Sequence, residues 1–274
     1  MITLTTDFGE KDHFAGSVKG AIYKELNDVR IVDISHSVSP FHIAEAAYII
    51  SNAYKNFPKG TIHIVGIDSE LNPENKHIAA FLDGHYFVCA NNGIISLITT
   101  TVVPEKIVEI NIHEWVSGDF PVLDVFVKVA CHIARGGTLE VIGKEITEVK
   151  ELTGVKPVIS NSGNQIIGNV IYIDNYGNVI SNISKALFET VGRGRNFTIT
   201  ARRVKFNKIM SKYSDIVHFE LPPEKRSTDG NELALWNASG FLELAIYKSN
   251  PQTVGSASSL FGLYFRDTIS IDFH

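Results

Sequence analysis

Ile2-Thr3-Leu4-Thr5-Thr6-Asp7-Phe8-Gly9 opens the chain, and the fold is read outward from it. Residues 2–5 are rich in β-formers and run into the polar turn Thr6-Asp7-Phe8-Gly9. Residues 13–26 then carry Phe14, Val18, Ile22 and Leu26 at helical spacing. A second strand is predicted over residues 29–34. A helix over 41–57 follows, with Ile43, Ala46, Ala47, Ile50 and Ala53 on one side, stopped by Pro58 and Gly60. A third strand spans 61–67. Parallel strands need crossovers, usually helical, so this rhythm predicts a layered α/β domain.

Further strands are predicted over 78–82, 86–90 and 107–111, with a buried helix over 125–134 closed by Gly136-Gly137. Residues 154–164 mix Gly, Pro, Ser and Asn without apolar period and read as a linker. Beyond it the pattern becomes short strands and turns, over 165–173, 196–204, 216–221, 233–237, 242–247 and 268–273, which suits a small β-barrel or sandwich. The expected fold class is α/β, with an N-terminal domain over residues 1–153 and a smaller C-terminal β domain over 165–274.

Of the 274 residues 44% are hydrophobic and 20% charged, enough apolar material for two folded cores. The net charge of −5 leaves no basic excess, so nucleic acid is not an expected partner. No window approaches the roughly 20 apolar residues of a membrane span, and the first residues lack a basic, then apolar leader pattern. A cytoplasmic setting is expected. Cys89 and Cys131 lie in apolar runs and read as buried free thiols. The ten histidines form no metal-ligand spacing, so no metal site is expected.

Four segments carry candidate chemistry. Asp7 stands where a strand of an open α/β sheet ends, the edge at which such sheets bind ligands. Its carboxylate can accept two hydrogen bonds from a vicinal diol, or cap the turn that follows. Ile67-Asp68-Ser69-Glu70 ends the third strand, with Asn75, Lys76 and His77 close behind. A carboxylate, a cation and an imidazole in one short span can orient or deprotonate a water; they are also the composition of a solvated loop. Asp174-Asn175-Tyr176-Gly177-Asn178 follows a clear strand and reads as a hairpin turn or as a site. The turn accounts for the glycine without requiring both Asp174 and Asn178. In the stretch from Trp236 to Ala245, Asn237-Ala238-Ser239-Gly240 makes a polar corner, and Glu243 interrupts an apolar run and is expected to face outward.

Taken in order, these segments resemble the S-adenosylmethionine hydroxide adenosyltransferase family, relatives of the fluorinases and chlorinases. The likeness spans nearly the whole chain. It is densest in Thr3 to Gly9, Val18-Lys19-Gly20, Ile31-Val32-Asp33-Ile34-Ser35-His36, Glu45-Ala46-Ala47-Tyr48, Phe57-Pro58-Lys59-Gly60 and Asn92-Gly93. The resemblance implies an α/β domain followed by a β-barrel, a homotrimer, and S-adenosylmethionine bound where two subunits meet, without a cofactor. It implies that Asp7 holds the ribose diol, Asp174 the methionine ammonium, Asn178 the adenine edge and Ser239 the methionine carboxylate. Tyr213 would stand near the adenine and Ala257 would offer its backbone to the base, or both simply pack the barrel.

The sequence departs from that family around the water-activating groups. The family's Asp-Pro-Gly-Val-Gly stands here as Asp68-Ser69-Glu70-Leu71-Asn72, with Asn75 at the place of an arginine. Phe-His-Gly-Arg-Asp stands as Phe120-Pro121-Val122-Leu123-Asp124, with Pro121 at the place of the catalytic histidine. Asp68 remains, and Lys76 can supply a cation, though without the planar fork of an arginine. Two readings follow: a hydrolase of S-adenosylmethionine whose proton relay uses Asp68 with Lys76 or His77, or a binding protein for S-adenosylmethionine or adenosine without turnover.

Overall fold

A computed structural model describes residues 1–99, 102–116, 118–226 and 230–274. The chain divides into two compact units, Met1–Gly154 and Val155–His274. Among the described residues no helix is long and apolar enough to cross a membrane.

The first unit is built on a seven-stranded sheet of β1 (Ile2–Thr6), β2 (Ile31–Ser35), β3 (Ile62–Gly66), β4 (His77–Leu82), β5 (His85–Ala90), β6 (Lys106–Ile110) and β7 (Gly143–Glu145). Their order is β2-β1-β3-β5-β4-β6-β7. The pairs β1·β2, β1·β3 and β3·β5 are parallel, and β4, β6 and β7 add antiparallel partners. Helix α1 (Phe14–Glu25) carries the chain from β1 to β2, and α2 (Ile43–Ala53) returns it to β3 on the other side of β1. All five residues of β1 and of β3 are buried, as expected for strands covered on both faces. Ile2, Leu4, Ile62 and Ile64 join Val18, Ile22 and Phe126 in one core, while Val65 joins Ala47, Ile50 and Tyr54 in another.

The short helix α3 (Ile94–Ile98) was not expected from sequence; it starts after Gly93, whose φ of 99° suits glycine. The helix expected over 125–134 begins earlier, with a π-helical turn at Val122–Phe126 that leads into α4 (Val127–Ala134). Pro121 opens it with φ −55°, a helical value the ring imposes. A one-turn helix, α5 (Leu139–Ile142), precedes β7.

The second unit is an antiparallel sheet of β8 (Val158–Ile159), β9 (Gln165–Ile173), β10 (Val179–Ser184), β11 (Phe197–Ala201), β12 (Val204–Phe206), β13 (Glu232–Trp236), β14 (Phe241–Ile246) and β15 (Thr268–Phe273), with α6 (Lys185–Gly192) and α7 (Ala257–Phe261). The main path runs β12-β11-β15-β9-β10-β14-β13. Beyond β12 the chain reaches the other edge, where Met210 N donates to Ala234 O at 2.7 Å, so the sheet nearly closes as a barrel around Ile166, Val170, Ile199, Leu242, Leu244 and Ile271.

Three expectations are corrected here. Residues 196–204 are not one strand but the hairpin β11–β12, turned at Arg202 with φ 53°. The strand expected over 216–221 is absent: a 3-10 turn at Tyr213–Ile216 is followed by turns, and Phe219 and Leu221 are exposed, so their apolar character never met a core. Part of the expected linker, Val158–Ile159, pairs with β9.

Candidate functional site

The strand order reverses at β1, whose neighbours β2 and β3 lie on opposite sides, and such switch points leave a crevice beyond the strands' carboxyl ends. Thr6 pairs with Gly66, so the residues that leave β1 and β3 emerge side by side. A Cβ on Gly66 would come within 2.9 Å of Val122 Cγ2, so glycine there lets β3 pack closely on the π-helical turn. A cleft of about 730 Å³ opens at this edge. Asp7 and Phe8 line it from β1, Pro40 and Phe41 from the approach to α2, Asp68 to Leu71 from β3, and Gly118, Asp119 and Pro121 from the approach to α4.

The cleft has an apolar wall and an acidic one. Phe8, Phe14 and Phe120 form a mutual aromatic cluster with ring centroids 5.4 to 5.9 Å apart. Asp7, Asp68, Glu70 and Asp119 supply the acidic wall, and no lysine, arginine or histidine occurs among the described lining residues. Asp7 Oδ2 accepts a 2.8 Å hydrogen bond from Phe41 N, which the left-handed φ of Phe41, 61°, presents to it. Burial raises the Asp7 pKa; the Phe41 bond opposes this, and the nearby Asp68 charge adds a smaller upward push.

The loop carrying Asp68 is held from beneath. Asp68 itself takes φ 44°, and its carbonyl accepts from Asn75 Nδ2 at 2.8 Å and from Asn92 Nδ2 at 3.4 Å. Asn75 also donates to Glu70 O at 3.0 Å, and His77 Nε2 lies 2.9 Å from Ser69 O. A carbonyl only accepts, so His77 carries its proton on Nε2; its Nδ1 faces His113 Nε2 at 2.9 Å. Burial pushes the His77 pKa down to about 4. His113 is lowered as well, chiefly by burial and then by the charge of Lys76. Lys76 is half-buried and does not line the cleft. Asn75, at the position where the resemblance places an arginine, is therefore a strut for Asp68 and Glu70 rather than a group facing the cleft. Pro121, at the histidine position, does face it.

In the second unit the turn between β9 and β10 brings Asp174 and Asn178 together. Asp174 Oδ1 accepts from Tyr176 N and Asn178 N, both at 2.9 Å, and Oδ2 accepts from Asn178 Nδ2 at 3.0 Å. The hairpin thus does use both side chains, which the turn reading alone had not required. Gly177, with φ 73°, accepts at its carbonyl a 2.9 Å hydrogen bond from Ser258 N in α7, which puts Ala257 beside the turn. Tyr213 Oη donates to Glu243 Oε1. The expectation that Glu243 faces solvent is corrected: it is 4% exposed, because β14 sends Leu242 and Leu244 into the barrel core while its other face, with Glu243, is covered by Tyr213. Burial raises the Glu243 pKa, the Tyr213 bond lowers it in part, and the Asp174 charge adds to the rise. Ser239 stands apart from this cluster. It sits in the β13–β14 turn, where its N–H donates to Asn237 Oδ1 at 3.0 Å, whereas Val179, next to Asn178, pairs with Leu244 farther along β14.

Sequence reading missed Glu70, Asp119 and Phe41 as lining residues. Glu70 had a signal, two positions from Asp68 in the same loop. Phe41 had none, because its place depends on a left-handed backbone that the residue type disfavours.

Two family models match the chain: the N-terminal domain of the SAM hydroxide adenosyltransferases over residues 2–143 and their C-terminal domain over 168–270. An (R)-S-adenosyl-L-methionine hydrolase of Methanocaldococcus jannaschii is 30% identical, across 99% of this chain and 95% of that protein. A Thermus thermophilus protein of the same name is 24% identical over 94% of each chain, and a fluorinase of Actinopolyspora mzabensis is 24% identical over 89% of this chain and 90% of its own. The crystal structure of an uncharacterized conserved protein from Thermotoga maritima superposes with a TM-score of 0.83 at 27% identity, over 99% of this chain and all of that one.

Proposed function

The chain belongs to the S-adenosylmethionine hydroxide adenosyltransferase family, and on that footing we propose that it hydrolyses S-adenosylmethionine to adenosine and methionine in a cytoplasmic setting. The observation that carries this reading is the cleft at the β1/β3 switch point, whose ionisable lining is carboxylate throughout. A sulfonium is a cation, and a wall of carboxylates selects it over a neutral nucleoside. Asp7, with one oxygen already held by Phe41 N, is placed to accept the ribose hydroxyls.

In the reaction a water oxygen forms a bond to the ribose 5′ carbon, and the carbon–sulfur bond breaks with its electron pair going to sulfur. The leaving group is a neutral thioether, so no metal or organic cofactor is invoked; the protein has to position the water in line and take its proton. Asp68 is assigned that proton, on a loop whose carbonyls are tied down by Asn75, His77 and Asn92. Lys76, held as a catalytic partner from sequence, is assigned no contact with the reacting atoms.

The residues of the second unit follow the family resemblance: Asp174 for the ammonium, Asn178 and Tyr213 for the adenine and the Ala257 backbone for the base, in a homotrimer; Ser239, expected at the methionine carboxylate, lies at the other end of β14 from Asp174 and is assigned no part of the ligand that Asp174 holds. Three hydrogen bonds already fall on the Asp174 carboxylate, which has about four acceptor positions, so one remains for an ammonium.

A second reading, binding without turnover, is favoured by Asn75 and Pro121 at the arginine and histidine positions. Incubation with S-adenosylmethionine, with adenosine and methionine followed by chromatography, separates the two. Release that falls to background in both Asp7→Asn and Asp68→Asn supports hydrolysis. Calorimetric binding of S-adenosylmethionine without product supports the binding protein, and neither binding nor product rejects both.

A further inference from the structure

Behind Asp7 lies a polar chain, buried at Thr6 and His36, that none of the site residues above includes. Thr6, the last residue of β1, is 1% exposed, and its Oγ1 lies 2.7 Å from His36 Nδ1. His36, 5% exposed, follows β2. Its Nε2 lies 3.1 Å from Asp33 Oδ1, near but not aligned as a hydrogen bond, and Asp33 Oδ2 accepts from Lys19 Nζ of α1 at 2.5 Å. The backbone closes the loop: Gly9 N donates to His36 O at 2.7 Å, and Phe8 N donates to Thr6 Oγ1 at 3.4 Å.

The proton positions follow from what each group can do. A carboxylate only accepts, so the neutral ring keeps its proton on Nε2 toward Asp33. Nδ1 is then an acceptor, and the Thr6 hydroxyl donates to it while its lone pair takes Phe8 N–H. His36 therefore holds the residues on both sides of Asp7, Thr6 through its ring and Gly9 through its carbonyl. The far end of the turn is held by the Phe41 bond to Asp7 itself.

We propose that His36 is the positioning residue for Asp7: it fixes the β1 turn so that the Asp7 carboxylate enters the cleft already oriented for a sugar diol. The proposal rests on the reading of Asp7 as a diol-binding group. It gives His36 a role through Asp7, with no contact to the ligand or to the attacking water.

The test compares Thr6→Val, which removes the hydroxyl at nearly constant volume, with Thr6→Ser, which restores it, and with His36→Gln. Calorimetric titration with adenosine reads the diol grip without depending on turnover, and carboxyl-carbon NMR reads the Asp7 titration without any ligand. Loss of one buried hydrogen bond weakens adenosine binding about tenfold in Thr6→Val, with Thr6→Ser recovering to within about twofold of the wild type. In the double variant Thr6→Val/His36→Gln the loss is no greater than in the worse single one, because both break the same link. The Asp7 pKa, held up by burial, falls toward the ordinary aspartate value in the variants as the turn loosens. Wild-type binding of adenosine in Thr6→Val with an unmoved Asp7 titration overturns the proposal. Absence of binding of both adenosine and S-adenosylmethionine in the wild type rejects the diol reading instead, whereas a moved Asp7 titration still supports the tie between His36 and the turn. If Thr6→Val does not fold, His36→Gln and Thr6→Ser make the same comparison.

Discussion

Asn75→Asp is the substitution that most sharply tests how the Asp68 loop is built. Asn75 is 6% exposed and donates through one nitrogen to Asp68 O at 2.8 Å and Glu70 O at 3.0 Å. Replacing the amide by a carboxylate of the same shape removes both donations, about 2 kcal/mol at roughly 1 kcal/mol each. It also faces a buried negative charge toward two carbonyl oxygens, so the total loss at neutral pH is about 3 to 5 kcal/mol. Asn75→Ala should lose less, about 1 kcal/mol, since it also removes Asn75 Oδ1, which is buried without a partner. The introduced carboxyl must titrate above its unfolded value of about 3.9. Between those two values the native state binds more protons than the unfolded chain, so the stability of the variant falls as pH rises. Its deficit is thus smallest near pH 4 and grows toward neutrality. Urea unfolding at several pH values, read for the first unit alone from peptides labelled in a brief deuterium pulse, measures this. A deficit that does not change with pH, or a variant at neutral pH as stable as Asn75→Ala, refutes the strut.

Three further outcomes are expected. Tyr213→Phe strips the buried Glu243 carboxylate of its donor and costs about 1.5 to 3 kcal/mol at neutral pH. Because the folded pKa of Glu243 is already raised, that loss shrinks as pH falls toward its ordinary value, which urea unfolding at acid and neutral pH detects. The His77 ring titrates at about 4 in the folded chain against 6.5 when exposed, so the unfolded state takes up its proton first as pH falls through that window. The first unit then loses up to about 3 kcal/mol, and His77→Gln flattens the dependence in the same pulse-labelled titration. Gly177→Ala, at φ 73° and with its Cβ 2.2 Å from Ser256 Oγ, destabilises the second unit by about 2 kcal/mol or more and lowers its thermal midpoint.

Much of the fold was legible residue by residue. The period of Phe14, Val18 and Ile22 announced α1, and β9 and β15 begin and end where their apolar runs do. Strand β10 was not expected from sequence, because Ser181, Asn182 and Ser184 make half of it polar. Ser181 and Asn182 are nonetheless buried, with their polar atoms bonded to Leu242 O and Val155 O. The candidate site was half legible. Asp7 and Asp68 were found because each follows a strand, while the acidic partners Glu70 and Asp119 became visible only as walls of one cleft.

The sequence by itself determined where the leading strands and helices of the first unit lie, that the chain changes from α/β to β near its middle, and that Asp7 and Asp68 follow strands of the first sheet. Those are local properties, since spacing of 3.6 or 2 residues and the identity of a turn residue are written within a few positions. Tertiary structure alone decided that β1 stands between β2 and β3, that Glu243 is buried under Tyr213, that Asn75 braces a loop and that His36 reaches Thr6 across 30 positions. Each of these depends on which distant segments meet, and the chain's pairing partners, not its neighbours in sequence, set the burial that makes a polar side chain a strut, a base or a surface group.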